Sequence, residues 1–194
     1  EFGNGALRTI KINGIEVLRA IAFLVRDKNW GTYNPDITDL KVSQKQDGFA
    51  IRYRARCGDS NAAIVYDATI SAGADGTLAF EATATPETDF ATNRTGFVVL
   101  HPLKGVAGFP VEVEHTNGKK EKSKFPPLVN PLCPFTDIPA LKHKVMDGLQ
   151  VVCRMEGYAF EMEDHRNWSD ASFKTYVRPL AEPWPYTMPS GVPF

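Results

Sequence analysis

Hydrophobic and polar residues alternate along most of this chain in short runs punctuated by glycine, asparagine, aspartate and proline, which is the period-two pattern of half-buried strands. Gly5 to Ile12 alternate and then meet Asn13-Gly14, a pair suited to a type I′ turn because both of its central positions need positive φ. Ile15 to Arg19 is the returning strand. The apolar run Ala20 to Arg26 suits a strand covered on both faces or a short buried helix, and the polar turn Asp27 to Gly31 that follows favours the strand. A meander comes next: Asp36 to Gln46, a turn at Gln46-Asp47-Gly48, and Phe49 to Arg56, with Phe49, Ile51, Tyr53 and Ala55 on one face and Arg52, Arg54 and Arg56 on the other. Ala62 to Ser71, the turn Ala74-Asp75-Gly76 and Thr77 to Thr85 extend it.

Thr95 to Leu100 ends at His101-Pro102, because proline removes a ladder donor and holds the preceding residue extended; the imidazole is expected near the strand's rim. Pro110 to His115 and Lys122 to Phe125 flank a hairpin signal at Asn117-Gly118, and the lysines at 119, 120, 122 and 124 are expected to discourage edge pairing. The proline-rich stretch from Phe125 to Pro139 reads as a long surface connection. Leu141 to Val145, Leu149 to Glu156, Tyr158 to Met162 and Phe173 to Arg178 resume the strands. About a dozen strands with scarcely any helix predict an all-β chain, an antiparallel two-layer sandwich formed as one domain over residues 1–194.

Composition narrows the function more than the fold. With 22 basic and 23 acidic residues and a net charge of -1, the chain has no electrostatic case for a nucleic-acid or membrane-surface partner. Cys57, Cys133 and Cys153 form no CxxC pair, which fits a reduced, cytoplasmic setting. No apolar run approaches the roughly 20 residues that span a bilayer as a helix, so a soluble chain is expected. It opens at Glu1 without a methionine and closes on a proline-rich tail, as a piece of a longer polypeptide would.

One stretch departs from the alternation. Glu161 to Arg178 concentrates Glu161, Glu163, Asp164, His165, Arg166, Asn167, Asp170 and Lys174 around Trp168 and Phe173, and keeps no clean period. Fixed carboxylates accept hydrogen bonds from hydroxyl groups, Arg and Lys hold a carboxylate or alkoxide, and an indole offers an apolar face to a sugar ring. The same residues have a structural reading, in which Arg166, Lys174 and the acids neutralise one another, Asp164 or Asp170 caps a helical turn, and Trp168 plugs the core. Arg94 and His101 bracket the strand Thr95 to Leu100 and form a second, weaker pair of substrate-binding candidates. Glu161 and His165 would need a third ligand to hold a metal. There is no GxSxG elbow and no GxGxxG or GxxxxGK[ST] run, so neither a serine nucleophile nor a nucleotide cofactor is indicated.

The strings Asn93 to His115, Pro134 to Val145 and above all FEMEDHRNWSDASFKTYVRPLAEPWPY (Phe160 to Tyr186), with VRDKNWGTYNP (Val25 to Pro35), resemble the N-terminal region of the bacterial D-apionate lactonase family. That resemblance implies a β-rich portion preceding further domains, and a parent hydrolase that opens the lactone of a branched-pentose sugar acid. The sandwich is also similar in kind to the supersandwich of galactose-mutarotase-like proteins. The expected chemistry is water attack on a lactone carbonyl, with Asp164 or Glu163 as base and Arg166 or Lys174 holding the oxyanion or the substrate's charge. Glu161, Asn167, Trp168, Asp170, Lys174, Arg94 and His101 would line the substrate. Two other readings stay open: a non-catalytic carbohydrate-binding or interdomain scaffolding module, and a mutarotase-like epimerase using His101 with a carboxylate.

Overall fold

The structure is a computed structural model that describes residues 1–167 and 171–194. The described residues form antiparallel strands and no helix. In chain order the strands are β1 (Phe2–Gly3), β2 (Ala6–Ile12), β3 (Ile15–Arg26), β4 (Thr32–Tyr33), β5 (Asp36–Lys45), β6 (Gly48–Gly58), β7 (Ala63–Gly73), β8 (Leu78–Pro86) and β9 (Phe90–Thr92). There follow β10 (Thr95–His101), β11 (Pro110–Glu114), β12 (Lys120–Lys124), β13 (Phe135–Ile138), β14 (Ala140–Met146), β15 (Leu149–Arg154), β16 (Phe160–Asp164), β17 (Phe173–Val177) and β18 (Tyr186–Met188). The all-β antiparallel class expected from the alternation is what forms. The strand number exceeds the expected dozen because several elements are two- or three-residue pairings that leave no periodic trace in sequence. Ile15 to Arg26 is one continuous strand, and no helix interrupts it.

The chain divides into two compact units, Glu1–Ala22 with Gly96–Glu182, and Phe23–Thr95 with Pro183–Phe194. In the first unit a sheet running β1-β2-β3-β10-β17-β16-β13 packs on a four-stranded sheet, β12-β11-β14-β15. Leu18, Val99, Phe135, Phe160, Met162 and Phe173 from the larger sheet meet Val111, Val113, Leu141 and Cys153 from the smaller one, with Phe125 between them at 0% exposure. This is a two-layer sandwich, and each fully buried side chain of this size contributes about 1.5–3 kcal/mol. The Asn13-Gly14 turn forms as expected, with φ of 51° and 79° and Ile12 opposite Ile15. At the edge strand β12, Lys120 and Lys122 stand opposite Glu114 and Glu112, a cross-strand charge match that also protects the edge.

The second unit is built on the meander β5-β6-β7-β8, with the pair β18-β9. Ile51, Tyr53, Ala55 and Cys57 of β6 and Ile64, Tyr66, Ala68 and Ile70 of β7 are buried, and Tyr66 stacks with both Tyr53 and Phe23. On the opposite face Arg54 pairs with Asp67 at 3.2 Å, and Arg56 with Glu87 at 2.9 Å. The two-sided reading of Phe49 to Arg56 therefore describes the strand from Ile51 onward, Phe49 being only half-buried. Cys57 and Cys153 are buried free thiols, and Cys133, in the proline-rich connection, is half-buried. No helix is long and apolar enough to cross a membrane.

Candidate functional site

The polar stretch is less irregular than its composition suggests. Phe160–Asp164 is a run of five residues in a regular ladder with β17, pairing Glu161 with Tyr176, Glu163 with Lys174 and Asp164 with Phe173. The His165 N–H donates to the Ser172 carbonyl at 3.1 Å and closes the hairpin. Because successive strand side chains point to opposite faces, the ladder divides the acidic run. Glu161, Glu163, Lys174 and Tyr176 share one face, while Phe160, Met162, Phe173 and Thr175 face the sandwich core.

On the first face Glu161 is buried at 2% exposure, and its Oε1 accepts the Leu180 N–H at 2.8 Å, so it fastens the segment that follows β17. Glu163 and His165 are largely covered, their side chains 14% and 26% exposed, with the His165 Nε2 2.7 Å from the Glu163 Oε2 and the imidazole 5.9 Å from the Tyr176 ring. Lys174 stands directly across the ladder from Glu163. A carboxylate in contact with an imidazole thus lies opposite a lysine on the same face of the ladder, residue types that can support proton transfer beside a developing negative charge.

Asp164 and Arg166 form a separate unit. The Arg166 Nε donates to Asp164 Oδ1 at 2.8 Å and its Nη2 to Oδ2 at 2.5 Å, while the Asn130 N–H donates to Oδ2 at 2.8 Å and the Arg166 N–H to Oδ1 at 3.4 Å. Four donors occupy the lone-pair positions of one carboxylate. Burial of Asp164 favours its neutral form, but the Arg166 side chain, the Asn130 amide and the guanidinium charge outweigh it and hold the carboxyl below its usual range. Arg166 also donates from Nη1 to the Pro127 carbonyl at 2.9 Å and from Nη2 to the Leu128 carbonyl, and lies over Phe173 with its Cζ 4.9 Å from the ring centroid. The pair holds the proline-rich connection against the end of β16, and that connection carries Leu128 and Leu132 at 81% and 75% exposure. The loop's role was not visible in sequence, although one signal was present: prolines 126, 127 and 131 supply carbonyls and no N–H, and such a run needs an external donor.

His101 is fully buried rather than at a rim. Its Nε2 is 2.9 Å from the Thr175 Oγ1, and its ring lies 6.3 Å from those of Phe125 and His143. Burial, and secondarily His143, pushes its pKa down to about 3, so the ring is neutral. Arg94 is buried at 3% exposure in the other compact unit, its Cζ 5.8 Å from the Trp30 ring centroid, and the structure does not group it with His101. Asn167 is exposed beyond β16. Trp168 and Asp170 lie outside the described residues. Among the described residues no three His, Cys, Asp or Glu side chains gather as metal ligands.

Comparison with known proteins agrees with this architecture's sequence signature. A curated relative, the D-apionate lactonase of Brucella anthropi, is 53% identical over 194 residues, covering 100% of this chain and 32% of the relative, so the chain spans about a third of that protein's length. No solved structure matches. The family described as the N-terminal domain of D-apionate lactonase matches residues 1–194, and this chain belongs to that family.

Proposed function

We propose that the chain is the β-sandwich portion of a lactone hydrolase acting on a sugar-acid lactone, and that the β16–β17 face contributes to the substrate site. The observation that carries this reading is the kinship, over all 194 residues of this chain, to a protein named D-apionate lactonase, and the partly buried Glu163–His165–Lys174 group gives it a chemical form. Water adds to the lactone carbonyl carbon as Glu163 takes its proton, and Lys174 balances the charge on the tetrahedral oxygen. The ring C–O bond then breaks, the ring oxygen leaves as a hydroxyl after regaining a proton, and the product is an open hydroxy carboxylate. His165 orients the Glu163 carboxylate. Asp164 and Arg166 act through the loop they hold.

In a full-length lactonase carrying this chain, Glu163→Gln is expected to lower kcat/KM by about 10²–10⁴-fold, the usual worth of a positioned general base. Lys174→Ala is expected to raise KM and lower kcat together. Steady-state lactone hydrolysis measures both, and an unchanged rate in a folded Glu163→Gln protein removes the proposal.

A further inference from the structure

The second compact unit holds a group that the lactone reading does not use. Three stretches far apart in sequence meet there: the loop after β3, Asn93-Arg94, and Trp184 just before β18. Trp184 packs edge-on against Trp30, ring centroids 5.2 Å apart at 68°, and stays 50% exposed. Two guanidiniums lie over the same Trp30 indole, Arg26 with its Cζ at 5.9 Å and Arg94 at 5.8 Å.

The loop that carries Trp30 is held from several sides. The Asp27 Oδ1 accepts the Asn29 and Gly31 amides at 2.7 and 2.8 Å, the Asn93 Nδ2 donates to the Lys28 carbonyl at 3.0 Å, and the Arg26 Nη1 donates to the Trp30 carbonyl at 2.9 Å. A Cβ at Gly31 would stand 2.5 Å from the Asp27 Oδ2, so a side chain there would displace the carboxylate that holds the loop. Within this frame Trp30 has a φ of 69°, the left-handed region that a bulky residue avoids. Such a conformation persists only where the surroundings impose it, and those positions concentrate at ligand sites.

Polar capacity remains unused beside it. The Arg26 Nη1 is spent on Trp30 and Thr32, whereas its Nη2 makes no hydrogen bond among the described residues and is not sequestered from solvent; its Nε and the Asn93 Oδ1 are buried without a hydrogen-bond partner. Buried polar atoms are almost always paired with protein or water, so these two call for a partner that the described side chains do not supply. The groups define its chemistry. The Arg26 Nη2, without a partner among the described residues, takes a carboxylate, the unpaired Asn93 amide oxygen takes a hydroxyl that reaches it, and a half-exposed indole takes the C–H face of a polyol chain or ring.

We infer that Arg26, Trp30, Asn93, Arg94 and Trp184 form a binding site for a polyhydroxylated carboxylate, of the sugar-acid class. The site stands on these residues alone and does not depend on the chemistry assigned to Glu163.

The test is a titration of the 194-residue chain with D-gluconate, followed through the indole N–H resonances of Trp30 and Trp184, with methyl β-D-glucoside and acetate as parallel probes. Gluconate is expected to shift both resonances saturably, and each comparison probe, lacking either the charge or the hydroxyls, to bind on the order of tenfold more weakly. Trp184→Ala, at a half-exposed position, should keep the remaining amide spectrum and weaken gluconate binding by a similar factor. Arg26→Gln should remove the preference for gluconate over the neutral glycoside. Absence of saturable shifts, equal binding of the neutral glycoside, or binding untouched by Trp184→Ala would each overturn the site.

Discussion

Asp164 shows how two carboxylates one residue apart come to different ends. Glu163 meets His165 on a partly buried face, while Asp164 is saturated by Arg166 and Asn130 and shut away from solvent. Composition gave both the same expected role, because a sequence does not show which acid finds a guanidinium and a main-chain amide. His101 and His143 carry the same lesson in the core. His143 is 3% exposed with neither ring nitrogen in a well-formed hydrogen bond, and burial lowers its pKa against a smaller opposing pull from the Lys144 main chain. Folded-state values below the unfolded value of about 6.5 mean that the unfolded chain takes up protons first. The contribution of both histidines to stability is then complete above about pH 6.5 and declines as pH falls below it. His143→Leu is expected to raise stability by roughly 1 kcal/mol at pH 7, through loss of the unpaired nitrogens, and to flatten the decline between pH 6.5 and 4. Urea denaturation at a series of pH values checks this; an undiminished slope would show that His143 does not titrate on unfolding.

At the level of strands and turns, the sequence was most readable where local chemistry decides the outcome. Asn13-Gly14 closes the hairpin it signals, and the alternation in β6 and β7 matches their burial from Ile51 to Ile70. Glu161 to Asp164 was less readable because polar residues sit on both faces of β16: one side fastens the Leu180 segment and meets His165, and the other end grips a loop. Period-two analysis needs one apolar face, and β16 has it only through Phe160 and Met162. The end of β6 offers a direct test of how tightly a turn is specified. Gly58 has a φ of 148°, and a Cβ there would lie 2.3 Å from the Ala62 carbonyl oxygen and 2.5 Å from the Ala63 Cα. Gly58→Ala is therefore expected to cost about 1–3 kcal/mol, read as a lowered denaturation midpoint with an unchanged slope. A neutral result would mean that the β6–β7 turn shifts freely.

For the molecule as a whole, the strands and their antiparallel class followed from pattern, and the family from long strings of residues, while the division into two compact units did not. Nothing in the alternation marks it, since two of its three boundaries fall inside β3 and β10, and the third lies in the connection between β17 and β18. The Trp30 group was hidden for the related reason that its members lie on stretches separated by tens of residues in the chain.

The grip of Asp164 and Arg166 on the proline-rich connection also makes the molecule a convenient subject for thiol chemistry. Burial pushes the Cys57 and Cys153 thiols up to about 12, so at pH 8 only about one in ten thousand of either is the reactive thiolate. Cys133 rides on the gripped connection and is half-buried. One thiol should therefore react with a maleimide under native conditions, and two more only after unfolding. Asp164→Asn, which removes a charged acceptor from the grip at a cost of roughly 1.5–3 kcal/mol, should quicken that first reaction while leaving the other two silent. Reaction at one site in the folded protein would let a spin label or fluorophore be placed on the connection without engineering a cysteine, and its mobility would report, in real time, whether the loop is held or released.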